Sequence, residues 1–202
     1  LDALEDLEKE YQKRVFSILQ LRVHPSLVKL KAKIAEGAAN TRHDVKITYI
    51  TSRGPWYHFS WKGDVQKSGG VATNIGIHFF DLVIWLFGGV QKNELHLSDS
   101  SRAAGYLELQ NANVTWFLSV DRADLPEEAR AENKSTYRSI TVDGNELEFT
   151  EGFTDLHTVL YKNILEGNGF GISETRPSIE VAYGIRTQSI VKSPELAHPF
   201  VA

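Results

Sequence analysis

Apolar residues at Leu1, Leu4, Leu7 and Tyr11, with Glu5, Asp6, Glu8 and Glu10 on the other side, predict an amphipathic helix with a solvated acidic face. From Arg14 to Leu21 the pattern alternates around Val15, Phe16, Ile18 and Leu19 and predicts a strand. Arg22-Val23-His24-Pro25 breaks it. Ser26 is then placed to cap a helix that buries Leu27, Leu30 and Ile34, exposes Lys29, Lys31 and Lys33, and stops at Gly37. Asp44 to Ser52 alternates as a strand, and Arg53-Gly54-Pro55-Trp56-Tyr57 reads as an aromatic turn after it. Lys67 to Phe87 holds a Gly-Gly pair followed by a helix that is apolar nearly all round, and therefore buried.

Tyr106–Gln110 and Val114–Val120 predict a hairpin across Asn111-Ala112-Asn113; Ser139–Val142 and Glu146–Phe149 predict another across Asp143-Gly144. The charged stretch Leu125–Lys134 between them reads as a mobile loop. Two helices close the pattern. One runs from Asp155 to Glu166 with Leu156, Val159, Leu160 and Ile164 inward, and the other starts at Pro177 and carries Ile179, Ala182 and Ile185. Strands in hairpins and helices in separate runs argue for an α+β fold with the helices on one face of a sheet.

Composition narrows the chemistry. At 42% hydrophobic and 24% charged, the 202 residues are ordinary for a globular protein. A net charge of -4 leaves no basic surplus for a phosphate backbone, so nucleic acid is not an expected partner. No uninterrupted apolar run reaches the ~20 residues of a membrane span, so no membrane partner is expected either. Zero cysteines exclude disulfides and thiolate chemistry and suit a reducing compartment. The acidic start lacks a signal peptide's basic region, and the cytoplasm is the expected location. With no methionine and an opening inside a helical pattern, the chain is expected to be a piece of a longer protein.

Asn74, His78 and Asp81 stand at i, i+4 and i+7 on the apolar helix, which predicts one polar stripe. Such a stripe suits a histidine presented to a ligand with Asp81 or a neighbour fixing its tautomer; it equally suits a satisfied core histidine. His78 and Asp81 lack further ligands for a zinc ion, so no metal is expected. No Gly-x-Ser-x-Gly elbow supports a serine nucleophile. Gly167-Asn168-Gly169-Phe170-Gly171 has the wrong spacing, after a helix, for a dinucleotide fingerprint.

Ser68 to Gly88 resembles the active-site helix of the glucose–fructose oxidoreductase and inositol dehydrogenase family (Gfo/Idh/MocA). That helix carries a Gly-Gly pair, Asp or Asn, Gly, His and a last Asp, matched here by Gly69, Gly70, Asn74, Gly76, His78 and Asp81. Gly70 to Asp81 is similar to the branch of UDP-N-acetylglucosaminuronate 3-dehydrogenases. Leu19 to Pro25, Thr51 to Gly54 with Trp56-Tyr57, Ser60 to Asp64, Tyr137 to Gly144, Gly152 to Thr158 and Gly169 to Ile172 agree with it. The resemblance implies an open, largely antiparallel sheet with helices on one face, the substrate half of an enzyme whose Rossmann domain is missing here. Residues 1–22 would be the remnant and connector of the dinucleotide-binding domain, and 23–202 the substrate-binding and oligomerisation domain.

The implied reaction is NAD-dependent oxidation of the C3 hydroxyl of a UDP-linked sugar in lipopolysaccharide synthesis. His78 would be the catalytic residue at that hydroxyl, with Asn74 and Asp81 beside it. Asn74 replaces the Asp of many members and cannot act as a base, and the family's Glu-Lys-Pro lysine is absent, so the piece alone would be inactive. Arg53 is an expected ligand for a carboxylate or diphosphate, or a plain turn arginine. Trp56 and Tyr57 suit stacking on a ring, Lys62 a phosphate and His157 the pocket lining. Arg22 and His24 border the expected nicotinamide position. A homo-oligomer, dimer or tetramer, is expected through an open sheet face supplied by Val114, Trp116, Leu118 and Val120. The alternatives are a neutral sugar or inositol as substrate, and a non-enzymatic oligomerising domain.

Overall fold

The computed structural model describes residues 1–37, 41–147 and 155–201. Its centre is a six-stranded sheet in the order β2-β3-β4-β1-β5-β6. The strands are β1 His43–Thr51, β2 Val90–Ser98, β3 Arg102–Leu109, β4 Ala112–Ser119, β5 Thr136–Val142 and β6 Asn145–Glu146. Every neighbouring pair is antiparallel except β1 and β4, which run parallel with Ile47 opposite Trp116. The fold is α+β with an open, mostly antiparallel sheet.

The helices are α1 Asp2–Tyr11, α2 Pro25–Glu36, α3 Trp56–Phe59, α4 Val65–Ser68, α5 Ile77–Phe87, α6 Glu127–Ala131, α7 Leu156–Leu165 and α8 Ile172–Thr187. A π turn over Ala72–Gly76 leads into α5. Phe80, Leu82 and Val83 of α5 and Ile47, Leu107, Val114, Trp116 and Leu118 of the sheet are fully buried against one another. The stretch Val65–Phe87 is long and apolar enough to cross a membrane, with a mean hydropathy of 1.5, but 67% of that window is buried inside the protein. It is the core helix.

Strand parity corrects the expected oligomer face. Val114, Trp116, Leu118 and Val120 point at the α5 layer and belong to the core. The other face of β4 carries Asn113, Thr115, Phe117 and Ser119. Its apolar part, Phe117 with Ile50, Ala104 and Leu125, packs under Val201. His198 lies there, 1% exposed, stacked on Phe117 at 5.7 Å with its Nε2 3.0 Å from the Thr48 hydroxyl. The face expected to meet a second subunit is thus taken up by α5, and the C-terminal tail covers the apolar part of the opposite face.

Other expectations shift for local reasons. Among the described residues Arg14–Leu21 finds no partner strand beyond a single bridge from Phe16 to Gly171; Leu19 and Leu21 are buried from a connector that ends in a 3-10 turn over Gln20–Val23. The cap of α2 is His24, whose Nδ1 accepts the Ser26 N–H at 3.2 Å, with Pro25 at the first helical position. The stretch Leu125–Lys134 holds α6, anchored by buried Leu125 and Ala129 one turn apart. Pro177 lies inside α8, which starts earlier where the Glu174 carboxylate accepts the Gly171 N–H. Gln110 and Asn111 join β3 to β4, a tighter turn than expected. The Asp143-Gly144 turn stands, both residues having positive φ (52° and 78°). Phe149 lies outside the described residues.

Candidate active site

The π turn and α5 place Asn74 and His78 on the wall of a cavity of about 260 Å³, shared with Gln20, Leu21, Tyr49, Arg53, Ile75, Phe79 and Arg138. Single π turns inside helices recur at functional sites because the inserted residue turns the next side chains to a new direction. Gly76 ends this one, and a Cβ there would meet the Phe80 ring at 2.6 Å and Leu118 at 2.8 Å. The close approach of helix to sheet at that point needs glycine.

Asn74 spends its amide nitrogen on the Gly70 and Lys62 carbonyls, at 3.1 and 3.3 Å. That orients the amide and leaves its oxygen as the group to offer a ligand hydroxyl. His78 is half-buried, and its Nδ1 is fully shielded with no hydrogen-bond partner among the described residues. Burial holds its pKa below the usual imidazole range; Asp81 pulls the other way and the nearby His157 adds to the fall. A neutral imidazole in that position is a proton acceptor near neutral pH. The Gln20 Oε1 is a second shielded atom without a partner among the described residues.

Asp81 has a different task from the one expected of it. Three residues at about 100° each turn it roughly 60° round the helix from His78, away from the stripe. It is 0% exposed and is held by Arg22, through Nε at 2.8 Å and Nη2 at 2.5 Å, and by the Ser178 hydroxyl at 2.7 Å. The carboxylate therefore ties α5 to α8 and to the 3-10 turn; it makes no hydrogen bond to His78. Arg22 is spent on the same pair, donates also to the Glu174 carbonyl at 3.3 Å and lies over the Phe170 ring. His24 is 1% exposed and caps α2. Within this chain, then, Arg22 holds Asp81 and His24 holds the start of α2.

The aromatic segment divides. Trp56 is exposed, whereas the Tyr57 ring is buried and cannot serve as a stacking platform. The Tyr57 hydroxyl has no hydrogen-bond partner in good geometry among the described residues; burial raises its pKa, and the neighbouring Arg53 and Asn74 oppose that rise. Lys62 is exposed, with its ammonium 5.8 Å from the Trp61 ring. His157 is exposed on the first turn of α7, within electrostatic reach of His78. The cavity therefore unites Arg53, Asn74 and His78 and leaves Arg22, His24, Trp56, Tyr57, Lys62 and Asp81 off its wall. Among the described residues no cluster of three potential ligands could hold a metal ion.

Three wall residues escape a reading by motif: Gln20, Tyr49 and Arg138. Arg138 does carry a signal. It shares parity with buried Ile140 and with Val142, which puts a guanidinium on the inward side of β5. A larger cavity of about 800 Å³ opens near α2 and the β5–β6 turn. On its wall Lys31 donates to the Trp85 carbonyl at the end of α5, and His43 pairs with Asp143 at 2.7 Å.

Residues 31–127 match the model of an oxidoreductase family's C-terminal alpha/beta domain. The chain is similar to the WlbA (WbpB) dehydrogenase from Thermus thermophilus crystallised with NAD and alpha-ketoglutarate, at 52% identity and a TM-score of 0.93 over 98% of this chain. A structure of that dehydrogenase with NAD and UDP-GlcNAcA matches at 51% identity and a TM-score of 0.92. This chain spans 64% of the length of the Thermus protein. The WlbA dehydrogenase from Bordetella pertussis, crystallised with NADH and UDP-GlcNAcA, shares the fold at 20% identity and a TM-score of 0.68, over 88% of this chain and 62% of its own. Residues 31–127 thus match the C-terminal alpha/beta domain of the Gfo/Idh/MocA oxidoreductase family, and 98% of the chain is similar to the Thermus dehydrogenase.

Proposed function

We propose that this chain is the substrate-binding part of an NAD-dependent dehydrogenase that oxidises the C3 hydroxyl of a UDP-N-acetylglucosaminuronate-type sugar. The observation that carries the reading is the cavity where His78, whose Nδ1 has no hydrogen-bond partner among the described residues, lines the wall beside Asn74 and two arginines. The identity of 52% to a dehydrogenase crystallised with NAD, and the structure of that dehydrogenase with UDP-GlcNAcA, agree with it.

In this mechanism Asn74 positions a sugar hydroxyl through its amide oxygen, and His78 takes the proton as the carbinol carbon is oxidised. NAD, when bound, supplies the hydride acceptor. The Arg22–Asp81–Ser178 cluster fixes α5 and so keeps His78 in register with the sheet wall. A neutral polyol brings no anion to the exposed Arg53 on the cavity wall, which favours an acidic sugar over an inositol.

The test is NADH formation at 340 nm by the full-length protein, with UDP-N-acetylglucosaminuronate and trapping of the product, for wild type and His78→Ala. Loss of a general base costs about 10²- to 10⁴-fold in kcat. With substrate binding retained, a loss of that size supports the reading. Because burial lowers the His78 pKa, the acid limb of the rate profile should lie below the ordinary imidazole range. Undiminished turnover in the variant removes His78 from the mechanism, and a well-folded wild type without turnover removes the dehydrogenase assignment.

A further inference from the structure

The cavity has two walls of different kind. The helix wall carries Asn74 and His78, and the sheet wall carries Tyr49 and Arg138, which face each other across the β1–β5 pair. The Arg138 guanidinium lies over the Tyr49 ring at 5.2 Å, and that ring leans on Phe79 at 5.1 Å, the residue next to His78. Arg138 is thus a half-buried cation on a regular strand, stacked on an aromatic face that is itself braced by α5. Arg53 differs in every respect. It follows β1 on an irregular segment and is exposed.

At about 260 Å³ the cavity is below the ~300–1,000 Å³ of ordinary ligand clefts, room for a sugar ring rather than a whole nucleotide sugar. A carboxylate attached to that ring must meet its cation inside, at a fixed distance from the reacting hydroxyl. A diphosphate must meet its cation at the rim. The rigid arginine suits the first task and the exposed one the second.

We propose that Arg138 is the specificity-determining residue of the site: it receives the carboxylate of a hexuronate whose hydroxyl is presented to His78. This rests on the dehydrogenase reading above for the reaction, but not for the binding of the acid. Sequence motifs single out the α5 stripe and Arg53; the strand register is what brings Arg138 to the same cavity.

The experiment compares wild type, Arg138→Gln and Arg138→Lys of the full-length protein with NAD, using UDP-N-acetylglucosaminuronate and its neutral counterpart UDP-N-acetylglucosamine. Both kcat/KM and calorimetric binding are measured. The ratio of acidic to neutral sugar should fall about 10- to 100-fold in Arg138→Gln, the size of one charge-assisted contact. Arg138→Lys, which keeps the charge but loses the fork, should fall between. A shared loss on both sugars would mean that Arg138 only braces Tyr49, and an unchanged ratio would mean that it reads nothing; either overturns the proposal. A wild type that binds the acidic sugar through Arg138 without oxidising it would leave this assignment standing and remove the dehydrogenase reading. Turnover of the acidic sugar with an unchanged ratio would do the reverse.

Discussion

Replacing Asp81 with Asn separates two roles that the sequence pattern alone leaves together. In the structure Asp81 is 0% exposed and faces Arg22, itself 6% exposed, through two charge-assisted hydrogen bonds. The substitution leaves a guanidinium buried without its counter-charge, and breaking such a pair costs about 3–5 kcal/mol. For a chain of this size about 1 kcal/mol moves the melting temperature by roughly 2–4 °C, so a fall of about 10 °C is expected. Calorimetry or tryptophan fluorescence on heating reads it. The double variant Arg22→Met/Asp81→Leu, which removes both charges, should recover more than half of the loss, because filling the space with apolar atoms cancels most of the desolvation penalty. The Ser178 hydroxyl left behind limits the recovery. An Asp81→Asn protein that melts within a degree or two of wild type while losing substrate binding would refute this reasoning and return Asp81 to the substrate.

Two further expectations come from buried titration and from packing. His198 has its pKa lowered by burial to about 4, with Lys46 adding to the fall, against 6.5 for the free residue. The unfolded chain therefore binds its proton first: this contribution is intact above about pH 6.5 and is lost as the pH falls toward 4. Between pH 7.5 and 5 the wild type should lose about 2 kcal/mol more than His198→Gln in urea unfolding, and parallel pH profiles would disprove it. At Gly105 an added Cβ would meet the Glu94 carbonyl oxygen at 2.1 Å and the Trp116 ring at 2.7 Å, so Gly105→Ala must part β2 from β3. It should cost about 1–3 kcal/mol and raise amide exchange along β2, whereas Gly89→Ala, with nothing within 4 Å, should change neither.

Much of the architecture is legible in apolar periodicity where burial is one-sided or complete. The runs that became α2, β1, α5 and the Asp143-Gly144 hairpin turn all show it. The edge strand β2 is not legible. Its sequence VQKNELHLS is polar and bulged, as an edge that must resist further pairing tends to be, and polar edges read as loops. Arg14–Leu21 fails in the opposite sense, because alternation reports which side is buried and says nothing about whether a partner strand exists. At the site, the stripe correctly brings Asn74 and His78 together. It overreaches at Asp81, since i+7 alignment tolerates a turn of the helix that is enough to change the neighbour from cavity to α8. The parity of Arg138 with Ile140 and Val142 puts it on the inward side, but that it meets Tyr49 depends on the pairing register of two strands far apart in sequence, which no local pattern carries.

The parallel pairing of β1 with β4 has a consequence for the order in which the protein is built. All the chain that separates those two strands, α5 with β2 and β3 included, must be synthesised before β1 can close onto its neighbour. The β2–β3–β4 meander consists of near-sequence contacts and forms cheaply, while the central pair must wait for a long loop to close. Until that closure the helix that bears His78 has only half a sheet to lie on. Nascent chains interrupted before Ser119 would expose the apolar surface of α5 to the cell's chaperones, and binding competence would arrive in a single late step rather than by stages.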